Sequence, residues 1–254
     1  MFLLYRAEDG YYDRYVSRVG LATSEDGFHF ERFKENPILE GEGENERRGV
    51  EDLRIIENGH GYFLTYTGYA GKDETGHRIV LCGAFSRDLI HWEKIGRLVP
   101  GREKAGAIVQ DYRYQGKYVM YFGEGRVKIA FSEDLRKWEV KEQPILEPRE
   151  GYFDSFLVEG GPPPIVTQEG IVMIYNSSNS VSYQPGFAIF DRDNPTKLLF
   201  RSNEPILQPS EYWEMYGRVN AVIFTNGFVN FKGKWLLYYG GADKSIGVAE
   251  LELL

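Results

Sequence analysis

The chain has 254 residues, 42% of them hydrophobic and 27% charged, a globular composition with enough apolar surface for a sizeable core. Thirty Lys and Arg against 38 Asp and Glu leave a net charge of −8, which argues against nucleic-acid or anionic-membrane partners, since both need a basic footprint. One cysteine, Cys82, excludes an intrachain disulfide and a multi-cysteine metal site. No apolar run approaches a membrane span, and Arg6, Glu8 and Asp9 end the apolar start too soon for a signal peptide, so a soluble, cytoplasmic protein is expected.

Aromatic residues reach 15%, beside 29 Gly and 11 Pro, a mixture that favours short strands joined by tight turns. From the N-terminus, a β-rich run at 2–5 leads to Val19-Gly20-Leu21-Ala22, then Ser24, Asp26 and Phe30, then Pro37-Ile38-Leu39. The pattern returns. A strand at 50–57 and a run at 62–66 precede Ala84, Ser86, Asp88 and Trp92, followed by a degraded Leu98-Val99-Pro100. Segments 107–114 and 118–121 precede Ala130, Ser132, Asp134 and Trp138, with Pro144-Ile145-Leu146. Segments 164–168 and 171–175 precede a looser copy, Ala188, Asp191 and Asp193, with Pro205-Ile206-Leu207. Segments 218–230 and 235–239 precede a truncated fifth, Ile246-Gly247-Val248-Ala249. Gly-containing turns introduce most of the runs, which is hairpin punctuation.

Each copy supplies three or four short strands in about fifty to sixty residues, and small sheets that cannot bury both faces alone imply radial stacking. The prediction is an all-β chain, residues 1–254 forming a single five-bladed β-propeller; a β-sandwich is the competing arrangement. The Ser-x-Asp-aromatic motifs read as turns, with Ser and Asp satisfying backbone donors. His29 and His91 lie inside them, His60 in a hairpin turn and His77 in a loop, so the histidines lack metal-ligand spacing and neither metal nor cofactor is expected.

Acidic residues on the innermost strands of a propeller are the ones to weigh. In Gly49-Val50-Glu51-Asp52-Leu53-Arg54-Ile55 two adjacent carboxylates and an Arg enter an apolar strand, a costly arrangement without a purpose. Strand alternation puts Asp52 and Arg54 on one face and Glu51 on the other. Arg54 would favour ionised Asp52 and burial would oppose it, and sequence leaves the sign open. Asp111, Glu159 (before Gly160-Gly161-Pro162-Pro163-Pro164), Asp243 and Asp9 are the other candidates. The three prolines cannot pair as a central strand and are expected to hold Glu159 at the start of one. Carboxylates among abundant Tyr and Trp suit a polyhydroxylated ligand.

These residues resemble glycoside hydrolase family 130, the mannoside phosphorylases and β-mannosidases on five-bladed propellers. The resemblance rests on Leu4-Tyr5-Arg6-Ala7-Glu8-Asp9, Ser17-Arg18-Val19-Gly20-Leu21-Ala22, Ser24-Glu25-Asp26-Gly27, Gly49-Val50-Glu51-Asp52-x-Arg54-Ile55, Gly161-Pro162-Pro163-Pro164-Ile165, Asp193-x-Pro195-Thr196-Lys197 and Tyr239-Gly240-x-Ala242-Asp243. It implies inverting cleavage of a β-mannosidic bond. Asp52 would be the general acid, reaching the glycosidic oxygen through a sugar hydroxyl. Asp243 would help hold the sugar, and Arg6, Arg18 and Arg54 would lie near the pocket. Asp9 and Asp111, from their places along the chain, are expected as further binding residues.

The departures shape the expected reaction. Leu53 stands where the family pattern has Pro; Phe122-Gly123 replace His-Arg, Leu157 replaces Lys, and Asn176 replaces His. A phosphate dianion in a partly buried pocket needs paired cations, so these losses point to hydrolysis over phosphorolysis unless Lys104, Arg113 or Arg126 compensates. An inverting hydrolase needs a second carboxylate to activate water; Glu159 is the choice, ahead of Glu124 and Asp111. The family's upstream inner strand is missing before the first run, so the first blade is expected to be incomplete. The alternatives are a mannoside phosphorylase, a sugar-binding propeller without catalysis, and a protein-interaction propeller. Arabinan- and fructan-cleaving propellers fit poorly. An oligosaccharide or mannoside substrate is the expected partner, with homo-oligomerisation left open.

Overall fold

The computed structural model describes residues 1–10 and 14–252. Among the described residues the chain is all-β apart from a 3-10 turn at Glu44–Glu46 and one helical turn, α1 (Tyr212–Met215). It divides into two compact units, Met1–Ala105 and Gly106–Leu254.

The first unit is one sheet made of two meanders. β1 (Phe2–Asp9), β2 (Val16–Thr23) and the short β3 (Glu31–Arg32) form the first; β4 (Gly49–Glu57), β5 (Tyr62–Asp73), β6 (Gly76–Ser86) and β7 (Trp92–Arg97) form the second. A single parallel pair, Ser17 with Gly49, joins them. Gly49 is required there: its φ is +110°, and a Cβ would stand 1.9 Å from the Ser17 carbonyl oxygen. β5 is buried on both faces from Phe63 to Ala70, which is why the 62–66 run reads as largely apolar rather than alternating. Val19, Val50, Leu64, Tyr66, Val80 and Ala84 form the core, each large apolar side chain contributing about 1.5–3 kcal/mol by leaving water.

The second unit holds three antiparallel sheets. β8 (Ala107–Ile108), β9 (Tyr118–Phe122), β10 (Val127–Ser132) and β11 (Glu139–Leu146) follow in order. β12 (Leu157–Gly160), β13 (Ile165–Val166), β14 (Ile171–Ser178), β15 (Tyr183–Asp191) and β16 (Asn194–Arg201) form the next, with both β12 and β13 on β14. β17 (Ile223–Phe231), β18 (Lys234–Gly241) and β19 (Ser245–Leu251) complete it. Tyr121, Ile129, Met173, Tyr175 and Phe190 lie in the main core. At its margin Asp154, wholly buried, accepts hydrogen bonds from Arg149 (2.9 Å), Arg201 and the Tyr175 hydroxyl (2.8 Å).

The three Ser-x-Asp motifs fold alike. In the second, the Ser86 hydroxyl oxygen accepts from Leu89 N–H (2.9 Å) while Asp88 Oδ1 accepts from Ile90 and His91 N–H (2.9 and 2.8 Å). The same bonds recur at Ser24/Asp26 and Ser132/Asp134. The residue after each Asp, Gly27, Leu89 or Leu135, has a positive φ of 84°, 66° or 63°, and the carboxylate holds the turn that this conformation requires. Trp92 and Trp138 close it by donating to the Leu89 and Leu135 carbonyls (both 3.1 Å). The motifs are structural, as expected, and His29 and His91 are exposed partners of Asp26 and Asp88.

Candidate active site

In the first unit the site grows from an irregularity in β4. Glu51 pairs with Thr67 and Arg54 with Thr65, so the register slips between them, and Asp52 sits at φ 54°. A left-handed residue at a bulge re-aims the chain. The expected alternation is therefore corrected: Glu51 does not turn away from the site. Its Oε2 lies 3.6 Å from an Arg6 nitrogen, and Arg6 also acts on Asp52. Arg54, 2% exposed, donates to the Asp52 backbone carbonyl (2.7 Å), and Thr67 donates to Asp52 Oδ2 (3.2 Å).

The structure supplies the sign that sequence leaves open. Burial pushes the half-buried Asp52 carboxyl up, but Lys104, Arg54 and Arg6, in that order, with the Thr67 hydroxyl, outweigh it and hold Asp52 below its ordinary value. Glu51 is moved the other way. Burial raises it, the Asp52 charge adds to the rise, and Arg6 with the Ser17 hydroxyl (2.8 Å to Oε1) opposes it. Two neighbouring carboxyls are thus driven apart in proton affinity, a pattern typical of acid–base sites.

Of the other candidates in this unit, Asp9 and Arg18 are engaged with each other, and Arg18 also reaches Glu40 (3.2 Å). Asp9 is exposed and held below its ordinary value, chiefly by the Arg18 hydrogen bond.

In the second unit Glu159 is fully buried and stands opposite Asn176. It lies within β12, one residue from its end, rather than at a strand start, and the three prolines follow that strand. Gln110 bonds the carbonyls of Pro164 (2.9 Å) and Pro163 (3.2 Å), giving the donor-free segment its partners. The next residue, Asp111, is exposed in a turn at φ 49°. Asp243 (φ 55°) lies in the turn between β18 and β19, 3.9 Å from Arg218. Arg218 and Val219 N–H both bond the Ala242 carbonyl (2.9 and 3.2 Å), clamping segment 217–219 onto that turn.

The positions that lack basic residues have structural occupants. Phe122 is core, and a Cβ on Gly123 (φ +141°) would meet the Arg126 carbonyl oxygen at 2.0 Å. Asn176 bonds Gly160 and Thr225. Of the proposed substitutes, Arg113 lies over the Tyr118 ring and Arg126 is paired at the surface with Glu147 (3.0 Å), and Glu124 is exposed. Lys104, in the same unit as Asp52, acts on it. Sequence reading missed Glu51 as a partner of Arg6, and it missed Ser17 and Thr67. Thr67 could have been found as the second hydroxyl of Thr65-Tyr66-Thr67, a polar residue in a strand buried on both faces.

A family model described as beta-1,4-mannooligosaccharide phosphorylase matches residues 1–254. A 1,2-beta-oligomannan phosphorylase of Thermoanaerobacter sp. (strain X514) is 37% identical over 257 residues, covering 99% of this chain and 85% of that protein. A solved structure from work on GH130 mannoside phosphorylases and the glycoside hydrolases among them that target β-1,2 mannosidic linkages in Candida mannan is 35% identical. Its TM-score is 0.90, over 98% of this chain and 80% of that one. The beta-1,2-mannobiose phosphorylase of Listeria innocua, solved with β-1,2-mannobiose, is 28% identical with a TM-score of 0.84, over 94% and 67%. This chain belongs to glycoside hydrolase family 130.

Proposed function

We propose that the protein cleaves β-1,2-mannosides by phosphorolysis, with inversion. The observation that carries this reading is the gathering of Lys104, Arg54 and Arg6 about Asp52. The Thermoanaerobacter phosphorylase supports it, and the β-1,2 linkage is common to that relative and to the two solved structures. It replaces the hydrolysis expected from the missing basic residues at 122, 123, 157 and 176.

In this reading Asp52 supplies the proton. Phosphate oxygen forms a bond to the anomeric carbon, the glycosidic carbon–oxygen bond breaks, and the leaving oxygen takes the Asp52 proton, through a sugar hydroxyl in the family pattern. In the free protein the cations keep Asp52 ionised near neutral pH, so its proton affinity must rise on binding. In an inverting reaction acid and attacking group stand across the sugar, about 6.5–9.5 Å apart in hydrolases, and phosphate therefore acts on Asp52 through charge. A dianion competing for Lys104 and the arginines loosens their hold and lifts the Asp52 proton affinity, coupling proton uptake to phosphate binding. Water brings no such charge. Arg6 and Arg54 orient the pair, and Asp243 with Arg218 is assigned to sugar binding.

Hydrolysis is the second reading, favoured by the buried Glu159 on β12, which would activate water. The same proposal takes residues 1–254 as one five-bladed propeller. The support is five meanders in sequence: β1–β3, β4–β7, β8–β11, β12–β16 and β17–β19. Incubation with β-1,2-mannobiose, with and without phosphate, tests the function. α-Mannose 1-phosphate formed only with phosphate is expected. Free mannose at equal rates in both overturns phosphorolysis for hydrolysis, and neither product, with binding retained, leaves a sugar-binding protein.

A further inference from the structure

Resting on Asp52 as the acid, the geometry of its neighbour carries one step more. Glu51 meets groups from each element around it. From β1 come Arg6, 3.6 Å away, and Glu8, 3.2 Å from Arg6 Nε. From β2 and the residue before it come the Ser17 hydroxyl (2.8 Å) and Tyr15. From its own strand comes Asp52, and around Asp52 stand Arg54, Thr67 and Lys104. Arg6 acts on both carboxylates. Gly49 seats the start of β4 directly on Ser17, and Asp52 sits in a left-handed conformation at the bulge.

We propose that Glu51 is a positioning residue that shares Arg6 with Asp52 and thereby sets how tightly Asp52 holds its proton. When Glu51 is ionised it draws Arg6 to itself and repels the Asp52 charge, and both effects favour protonated Asp52. When Glu51 carries a proton, Arg6 is left to Asp52, which gives up its proton more readily. The two carboxyls titrate as a pair rather than singly.

The test is the pH profile of kcat, which reports the bound enzyme, for wild type, E51Q and E51D with β-1,2-mannobiose and phosphate. E51Q keeps the shape of Glu51 but cannot ionise. Its alkaline limb should move to lower pH by about one unit, the scale of coupling between interacting carboxyls, and E51D should restore the limb. S17A, which removes the donor to Glu51 Oε1, should give a smaller shift in the same direction and serves if E51Q does not fold. A purely structural Glu51 would alter stability or kcat but leave the limb in place, and that result overturns the proposal. If wild type turns over no mannoside, the proposed function has failed, and carbon-13 NMR titration of Glu51 in wild type and D52N still decides this inference, because Glu51 ionises after Asp52 and so carries their coupling. A lower Glu51 titration midpoint in D52N supports it, and an unchanged one overturns it.

Discussion

Asn176 and Thr225 hold each other by three hydrogen bonds across β14 and β17. Asn176 Oδ1 accepts from Thr225 N–H (2.7 Å) and from the Thr225 hydroxyl (2.8 Å), and Asn176 Nδ2 donates to the Thr225 carbonyl (3.0 Å). A fourth bond reaches the Gly160 carbonyl (3.3 Å), beside Glu159. Both residues are wholly buried.

Asn176→Ala leaves buried donors and acceptors unpaired, each at about 1–3 kcal/mol. Calorimetry should show a fall in Tm of several degrees, since about 1 kcal/mol moves a domain of this size by roughly 2–4 °C. Asn176→His cannot present an acceptor and a donor in the amide's geometry, so it should destabilise by a similar amount and leave phosphate affinity no higher. A histidine variant as stable as wild type would show that the amide clamp contributes little.

Asp52→Asn keeps an acceptor for Thr67 but removes the transferable proton. The rate should fall by about 10²–10⁴, the usual contribution of a positioned acid, with Tm nearly unchanged and substrate still bound. Steady-state kinetics beside calorimetric binding separates this from misfolding. Activity within tenfold of wild type would remove Asp52 from the chemistry.

Asp154 is a structural hub with no part in the proposed reaction. Asp154→Ala would strand the largely buried Arg201 side chain, 8% exposed, and Arg149. Breaking one side of such a buried pair costs about 3–5 kcal/mol, measurable in urea unfolding. The Asp154→Ala, Arg201→Met double variant should recover part of that loss, because the charge left behind is the main penalty.

How much of this was legible follows from which forces are local. The Ser-x-Asp turns could be read from sequence because every bond within them spans two or three residues and the composition states the geometry. The central runs at 62–66 and 171–175 were legible because burial on both faces writes a largely apolar string, interrupted only by Thr65. Asp52 was found from the cost of charge in an apolar strand, but its neighbours were not. Alternation assumes a regular strand, and the left-handed bulge at Asp52 breaks it, putting Glu51 against Arg6 from β1. Lys104, about fifty residues further on in the chain, was considered only as a phosphate ligand. Nothing local to either residue states that Lys104 acts on Asp52, because chain folding alone brings its charge into range. The sequence logic at Asn176 also fell short: the absence of a histidine was visible, while the role of the amide depends on Thr225 in a strand from a different sheet.

The recurring turns also make a pH prediction. Asp26, Asp88 and Asp134 are held below the ordinary aspartate value of 3.8: Asp26 mainly by the His29 backbone and ring, Asp88 by the His91 ring and backbone, and Asp134 by the Lys137 and Arg136 backbone. A carboxylate whose value is lower in the folded chain than in the unfolded one adds stability above its unfolded value, near 3.9, and loses it as pH falls through the folded value. Stability should therefore decline from about pH 4 downward, and the decline should level off once these groups protonate in the folded chain. Asp88→Asn with Asp134→Asn keeps the Oδ1 acceptors for the turn N–H groups while removing the ionisation. Denaturant unfolding followed from pH 7 to pH 2 should then show a shallower acid slope than wild type, with a small loss at neutral pH. Equal slopes for the two proteins would mean that the turns are held by geometry alone, and that acid sensitivity arises at other carboxylates.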